Sequence, residues 1–166
     1  EKKLALMLQQ NPLRMDYYRK YAEIVADYNR EKDRVTIEDT FAKLIELAKS
    51  LDEEQRRAVE EGLGEEELAL FDLLKKENLS KGEREKLKLA SRSLLEELQR
   101  LIAPLDKWTQ KEQTQAEVEV FILDHVFQAL PTPPFTPEEK EAAAKRAYRH
   151  IWQQSTSGLF PKRKAA

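Results

Sequence analysis

Cysteine is absent from this 166-residue chain, and only four glycines and two methionines occur in it. Without cysteine there is no disulfide framework, no thiolate metal site and no thiol nucleophile. The chain is long enough to bury a core without such staples. With so few glycines there is no phosphate-cradling loop, and none of the four stands in a Walker arrangement before Lys-Ser or Lys-Thr. No apolar run approaches the roughly 20 residues of a membrane span, and no three-part signal peptide opens the chain. A cytoplasmic location with no membrane partner is therefore expected. Charge of one sign is lacking too: 29 Lys and Arg face 31 Asp and Glu, a net charge of -2. Such a chain has no overall field to gather nucleic acid, so any DNA contact must be a local patch. The first residue is Glu1 rather than methionine, which gives the chain the look of a piece of something longer.

What is present is helix-forming sequence. Glu65-Glu66-Glu67 followed by Leu68, Ala69, Leu70, Phe71, Leu73 and Leu74 places acids in a first turn, where they suit the helix dipole. Only Asp72 then interrupts the apolar surface, so the helix should be buried nearly all round rather than along one stripe. The expected fold is all-α, a multi-helix bundle around a central helix at about residues 65–77.

Elsewhere the helices are amphipathic. Leu4, Met7 and Leu8 mark a first helix, and Asn11-Pro12 supplies a cap and a first-turn proline for a second carrying Tyr17, Tyr18, Tyr21, Ile24, Val25 and Tyr28. After the polar Asn29–Arg34 loop, Thr36 with Asp39 predicts a third helix with a stripe of Ile37, Phe41, Leu44, Ile45 and Ala48. Ser50 with Glu53 predicts a break and a short fourth helix, closed by Gly62. Beyond the central helix, Ser80 with Glu83 caps a long helix lined by Leu87, Ala90, Leu94, Leu95, Leu98, Leu101 and Ile102, ending at Pro104. From Asp106 to Ala129 two apolar faces are expected to be largely buried, one with Trp108, Ala116, Val120, Leu123 and Phe127, the other with Val118, Ile122 and Val126. Pro131-Thr132-Pro133-Pro134 reads as a stiff extended linker, and Thr136 opens a last helix with Ala144, Ala147, Tyr148, Ile151 and Trp152 inward. The expected organisation is a bundle over 1–130, a linker over 131–136, a packed helix over 137–154 and a tail over 155–166.

Catalytic constellations are not found. His125 and His150 lack partners at metal-ligand spacing, and the Glu65–Glu67 cluster sits where acids partner a helix dipole. Glu138-Glu139-Lys140 superficially matches a nuclease element, yet it starts a helix instead of lying on a strand. No catalytic, cofactor or metal residue is assigned. Two basic stretches could bind: Arg14, Arg19 and Lys20 among tyrosines, and Lys162, Arg163 and Lys164 in the tail. Asp16, Glu23 and Asp27 dilute the first as a nucleic-acid groove, and the second is short.

A resemblance extends this reading. Asn11-Pro12, Arg14 and Asp16-Tyr17-Tyr18, then Tyr28-Asn29, Asp33-Arg34, Ile37-Glu38 and Thr40-Phe41, form one block; Gly62-Leu63 with Glu65 through Leu74 forms another. Together they resemble the C-terminal helical region of the R subunit, the motor and endonuclease subunit, of type I restriction-modification enzymes. Trp108, Gln113-Thr114, Leu130-Pro131 and Tyr148-x-His150-Ile151 follow the pattern more loosely, with Thr114-Gln115 where the family has Thr-Arg. The resemblance implies a parent subunit that translocates DNA with ATP and Mg and cuts it. It also implies a C-terminal piece, itself without catalysis or cofactor, that docks the subunit onto modification and specificity subunits. Tyr28 and Arg34, beside the polar loop, are the expected partner contacts. The alternatives are a DNA-guiding element using Arg14, Arg19, Lys20, Lys162, Arg163 and Lys164, or a buttress for the motor domains of its own chain.

Overall fold

Seven α-helices, two short 3-10 helices and no strand make up the described residues of the computed structural model, which are 1–30 and 37–162. The expectations placed on Arg34, Thr36, Arg163 and Lys164 lie outside them. The chain divides into two compact units, Glu1–Glu65 and Glu66–Ala166. The division falls at the start of the acidic, leucine-rich helix, not at the proline run.

The first unit contains α1 (Lys2–Gln10), a 3-10 turn (Pro12–Arg14), α2 (Met15–Arg30) and α3 (Ile37–Glu61). Asn11 caps as its sequence promises: its side chain accepts from the Leu13 amide at 3.1 Å, and Pro12 takes the first helical position. The core is Leu4 and Met7 of α1 with Leu47 and Leu51 of α3, and Tyr17, Tyr21 and Ile24 of α2 pack against it half-buried. No α2 residue is fully buried, and Tyr18 is exposed, so the tyrosines wall the core rather than fill it.

α3 departs from expectation in two ways. It runs unbroken through Ser50, whose hydroxyl donates to the Glu46 carbonyl at 3.2 Å, a bond compatible with a helix interior. With no glycine or proline to end the preceding turns, the Ser-x-x-Glu pattern starts nothing. The buried face is therefore Leu47, Leu51, Glu54 and Ala58, a three-to-four progression that runs across the predicted break. Of the predicted stripe, Ile37, Phe41 and Ile45 are instead 66%, 62% and 51% exposed, Ala48 is exposed and Leu44 is half-buried, and Val59 on the same side is 81% exposed. Gly62 ends the helix with φ +70, and Leu63 donates back to the Ala58 carbonyl at 2.9 Å, which satisfies a terminal acceptor.

The second unit holds the rest of α4 (Glu65–Leu74), α5 (Lys81–Ile102), a 3-10 turn (Trp108–Gln110), α6 (Glu112–Ala129) and α7 (Pro137–Thr156). Every residue from Leu68 to Leu74 is buried, as its composition requires. Neighbours lie on more than one side: Arg92 of α5 meets Glu67 at 3.2 Å, and Arg146 of α7 donates to the Leu73 carbonyl at 3.1 Å. Ser80 and Glu83 form the predicted capping box on α5, and Thr136 and Glu139 form another on α7.

Two predictions fail here. Only one face of α6 is buried, Val118, Ile122 and Val126, while Val120 and Phe127 lie exposed; the helix itself begins at Glu112, after the separate turn that carries Trp108. The proline run is not an extended linker. The Thr132–Pro133 and Pro133–Pro134 peptides are cis, the Phe135 amide donates to the Pro131 carbonyl at 3.1 Å, and Phe135 is buried. Lys76 secures the turn, donating to the Pro134 carbonyl at 2.8 Å.

Candidate binding surfaces

Arg14 is where the structure most revises the sequence reading. The 3-10 turn carries it inward to 3% exposure, its Nε on Glu54 at 3.0 Å, its Nη2 on Glu65 at 2.8 Å and its Nη1 on Gln10 at 3.4 Å. Arg57 reaches the same Glu54 carboxylate at 2.8 Å. Two guanidinium groups thus meet two carboxylates, and the buried charges are compensated. Burial works to raise the Glu54 carboxyl, but the hydrogen bonds and charges of Arg57 and Arg14 outweigh it and hold it below its ordinary value. Tyr17 closes the group: burial first, then the Glu54 charge and hydrogen bond, push its phenol above the usual range. Arg14 is a structural residue and offers nothing to phosphate.

Arg19 and Lys20 are exposed, with Arg19 paired to Asp16 at 3.3 Å. Lys20 lines a cavity of about 520 Å³ on the first unit, together with Arg57 but also with Asp16, Glu53, Glu54 and Glu60. Four acids against two bases make a poor seat for a phosphate backbone. Tyr28 is half-buried near the end of α2. Lys162, in the second unit, lines another cavity of about 520 Å³, formed where α5, the Trp108 turn and the segment after α7 meet.

Among the described residues no group of three or more His, Asp or Glu is placed to hold a metal ion. His125 lies between α5 groups, its Nδ1 3.3 Å from Glu97 and its Nε2 3.3 Å from the Ala90 carbonyl. His150 is 6% exposed, and loss of hydration lowers its pKa from 6.5 to about 4. The folded chain thus keeps a neutral imidazole where the unfolded chain would bind a proton. The associated stability is fully present above pH 6.5 and is lost as pH falls from there towards 4, a span of about 3 kcal/mol. Urea denaturation at pH 7.5 and pH 5 should therefore differ by about 2 kcal/mol, before most carboxylates titrate. A His150→Leu chain whose pH slope over that interval matched the wild type would refute the assignment.

The buried Glu54 and Arg14 pair is hidden from sequence reading because both residue types ordinarily face water. A usable signal does exist, since Glu54 occupies the same three-to-four progression as Leu47, Leu51 and Ala58. Thr114 and Gln115 serve the start of α6. The Thr114 hydroxyl donates to the Trp108 carbonyl at 2.7 Å, and the Gln115 amide donates to the Thr109 carbonyl.

No helix among the described residues is long and apolar enough to cross a membrane. No curated protein and no solved structure matches the chain. Residues 1–155 match the family described as type I restriction enzyme HindI endonuclease subunit-like, C-terminal. In agreement with the blocks around Asn11–Phe41 and Gly62–Leu74, this chain belongs to that family of C-terminal domains.

Proposed function

We propose that this chain is a non-catalytic assembly domain, which docks the endonuclease subunit onto the modification and specificity subunits of a type I complex. The observation that carries the reading is the open apolar side of α3, where Ile37, Phe41, Ile45 and Val59 face away from the core of their own unit. Large apolar side chains exposed in line along a helix mark an interaction surface more often than scattered ones do. Ile37, Phe41 and Ile45 lie at successive four-residue steps and can enter a groove as one row. In this reading ATP and Mg act elsewhere in the full-length subunit. Tyr28, and Arg34 outside the described residues, are the further contacts expected.

The test is capture of the modification core by this chain after nuclease treatment. Wild type should bind, and Phe41→Asp should weaken binding at least tenfold with helical content unchanged, since a charge would enter an apolar contact. Arg34→Ala should weaken it as well. Binding that vanishes with nuclease, or falls steeply with salt, would replace docking by the DNA-guiding alternative. Turnover of ATP or nicking of DNA by the purified chain would remove the non-catalytic part of the reading.

A further inference from the structure

The cavity in the second unit has features that docking through α3 does not use. One wall is apolar, with Ile102 and Ala103 from the end of α5 and Phe160 and Pro161 from the segment after α7. Gly158, at φ +70, turns that segment back, so the Leu159 and Phe160 amides both donate to the Gln154 carbonyl, at 2.8 and 3.0 Å. Gln99 holds it to α5 through the Pro161 carbonyl at 3.1 Å. Trp108, 4% exposed and edge-on to Tyr148 at 6.2 Å, forms another part of the wall.

Two buried donors belong to this wall and have no partner among the described residues, the Trp108 indole N–H and the Ser155 hydroxyl. An indole N–H can only donate, so the group it lacks is an acceptor. Lys107 and Lys162 add two exposed cations to the same cavity, and Lys107 is held in the left-handed region at φ +49, which a residue with a side chain seldom adopts. An acceptor that carries negative charge satisfies both observations, and the apolar wall asks for a ring-sized body beside it. We infer that this cavity binds a carboxylate carried on an apolar, ring-sized body. The cavity volume, about 520 Å³, is within the range of small-ligand sites. Both donors are buried, so in this proposal the ligand reaches them as Phe160 and Pro161 move outward and the Gln99 bond is given up. The carboxylate then accepts from Trp108 and Ser155, with the lysines balancing its charge.

The ligand could be a free acid or the C-terminal residue of a polypeptide, and the probes separate them. Phenylacetate is titrated into the full 166-residue chain while the Trp108 indole N–H is followed by NMR, its resonance assigned through its loss in Trp108→Phe. A saturable shift is expected with phenylacetate, none with acetate, which lacks the ring, and none with phenethylamine, which reverses the charge. Lys107→Ala with Lys162→Ala should weaken phenylacetate at least tenfold, and Ser155→Ala should weaken it too. N-acetylphenylalanine binding at least tenfold tighter than phenylacetate assigns a polypeptide terminus; equal or weaker binding assigns a free acid. An unmoved Trp108 resonance, an equal response to phenethylamine, or unchanged affinity in the double lysine variant would overturn the inference. None of these outcomes bears on capture by the modification core, so the two readings stand or fall separately.

Discussion

Replacing Arg14 by alanine is expected to lower stability by about 3 to 5 kcal/mol, far more than loss of a surface arginine would cost. The deletion leaves the Glu54 carboxylate, 9% exposed, with Arg57 and the Tyr17 hydroxyl, and takes the buried partner from Glu65. Glu54 then keeps only part of its compensation in a place with little access to water, and the Glu65 and Gln10 contacts that tie the 3-10 turn down are lost with the guanidinium. Arg14→Met combined with Glu54→Met should recover most of the loss, because a buried ion pair is often matched by apolar residues of similar volume. The pH dependence has a definite sign. Glu54 is held below its ordinary pKa in the folded chain, so its contribution is present above about 4.5 and disappears as pH falls through the lower folded value. Urea titration followed by far-UV circular dichroism measures both variants. A loss below about 1 kcal/mol for Arg14→Ala would mean that the arginine is a surface residue after all.

Arg14 also shows what a sequence can and cannot disclose. Local signals in this chain are strong where one residue type answers one backbone need. Asn11 before Pro12, Ser80 with Glu83, Thr136 with Glu139, and Gly62 and Gly158 at helix ends all behave as their chemistry dictates. The all-round apolar stretch from Leu68 to Leu74 is equally legible, because no exposed helix tolerates that composition. Legibility fails where two faces compete. On α3, Ile37, Phe41 and Ile45 are more apolar than the set of Leu47, Leu51, Glu54 and Ala58 that is buried. On α6, Val120 and Phe127 look no less buried in sequence than Val118 and Ile122. Local pattern gives the presence of an apolar face, whereas the neighbouring helix decides which face is used. The candidate sites suffer more, since charge alone makes a basic residue look ligand-facing. Arg14 is turned inward by a three-residue helix, and the cavity around Trp108 joins residues from Gln99 to Lys162 that no spacing rule connects.

Phe71→Ala is expected to cost about 3 to 5 kcal/mol, the usual range for emptying a fully buried aromatic site. Phe71 has no exposed surface, and its neighbours in α4 from Leu68 to Leu74 are buried with it, so the vacated space is bounded by helix on its own element. Collapse into that space is resisted because α4 is tied at several points. Arg146 holds the Leu73 carbonyl at 3.1 Å, Arg92 holds Glu67 at 3.2 Å, and Lys75 holds the buried Asp72 at 3.0 Å. The ring has a second role besides filling volume. The Arg84 guanidinium stands 5.2 Å and the Lys75 ammonium 5.8 Å from its centroid, placing positive charge against the aromatic quadrupole. Phe71→Leu keeps most of the volume and loses these contacts, so it should cost clearly less than alanine, leaving about 1 to 2 kcal/mol attributable to shape and cation contact together. Trp108 and Trp152 both lie in the second unit, so tryptophan fluorescence during urea titration reports on the unit that contains Phe71. An alanine variant whose fluorescence midpoint stays at the wild-type value would show that α4 is not the packing centre of that unit, and a leucine variant as damaged as alanine would show that the cation contacts outweigh the packing.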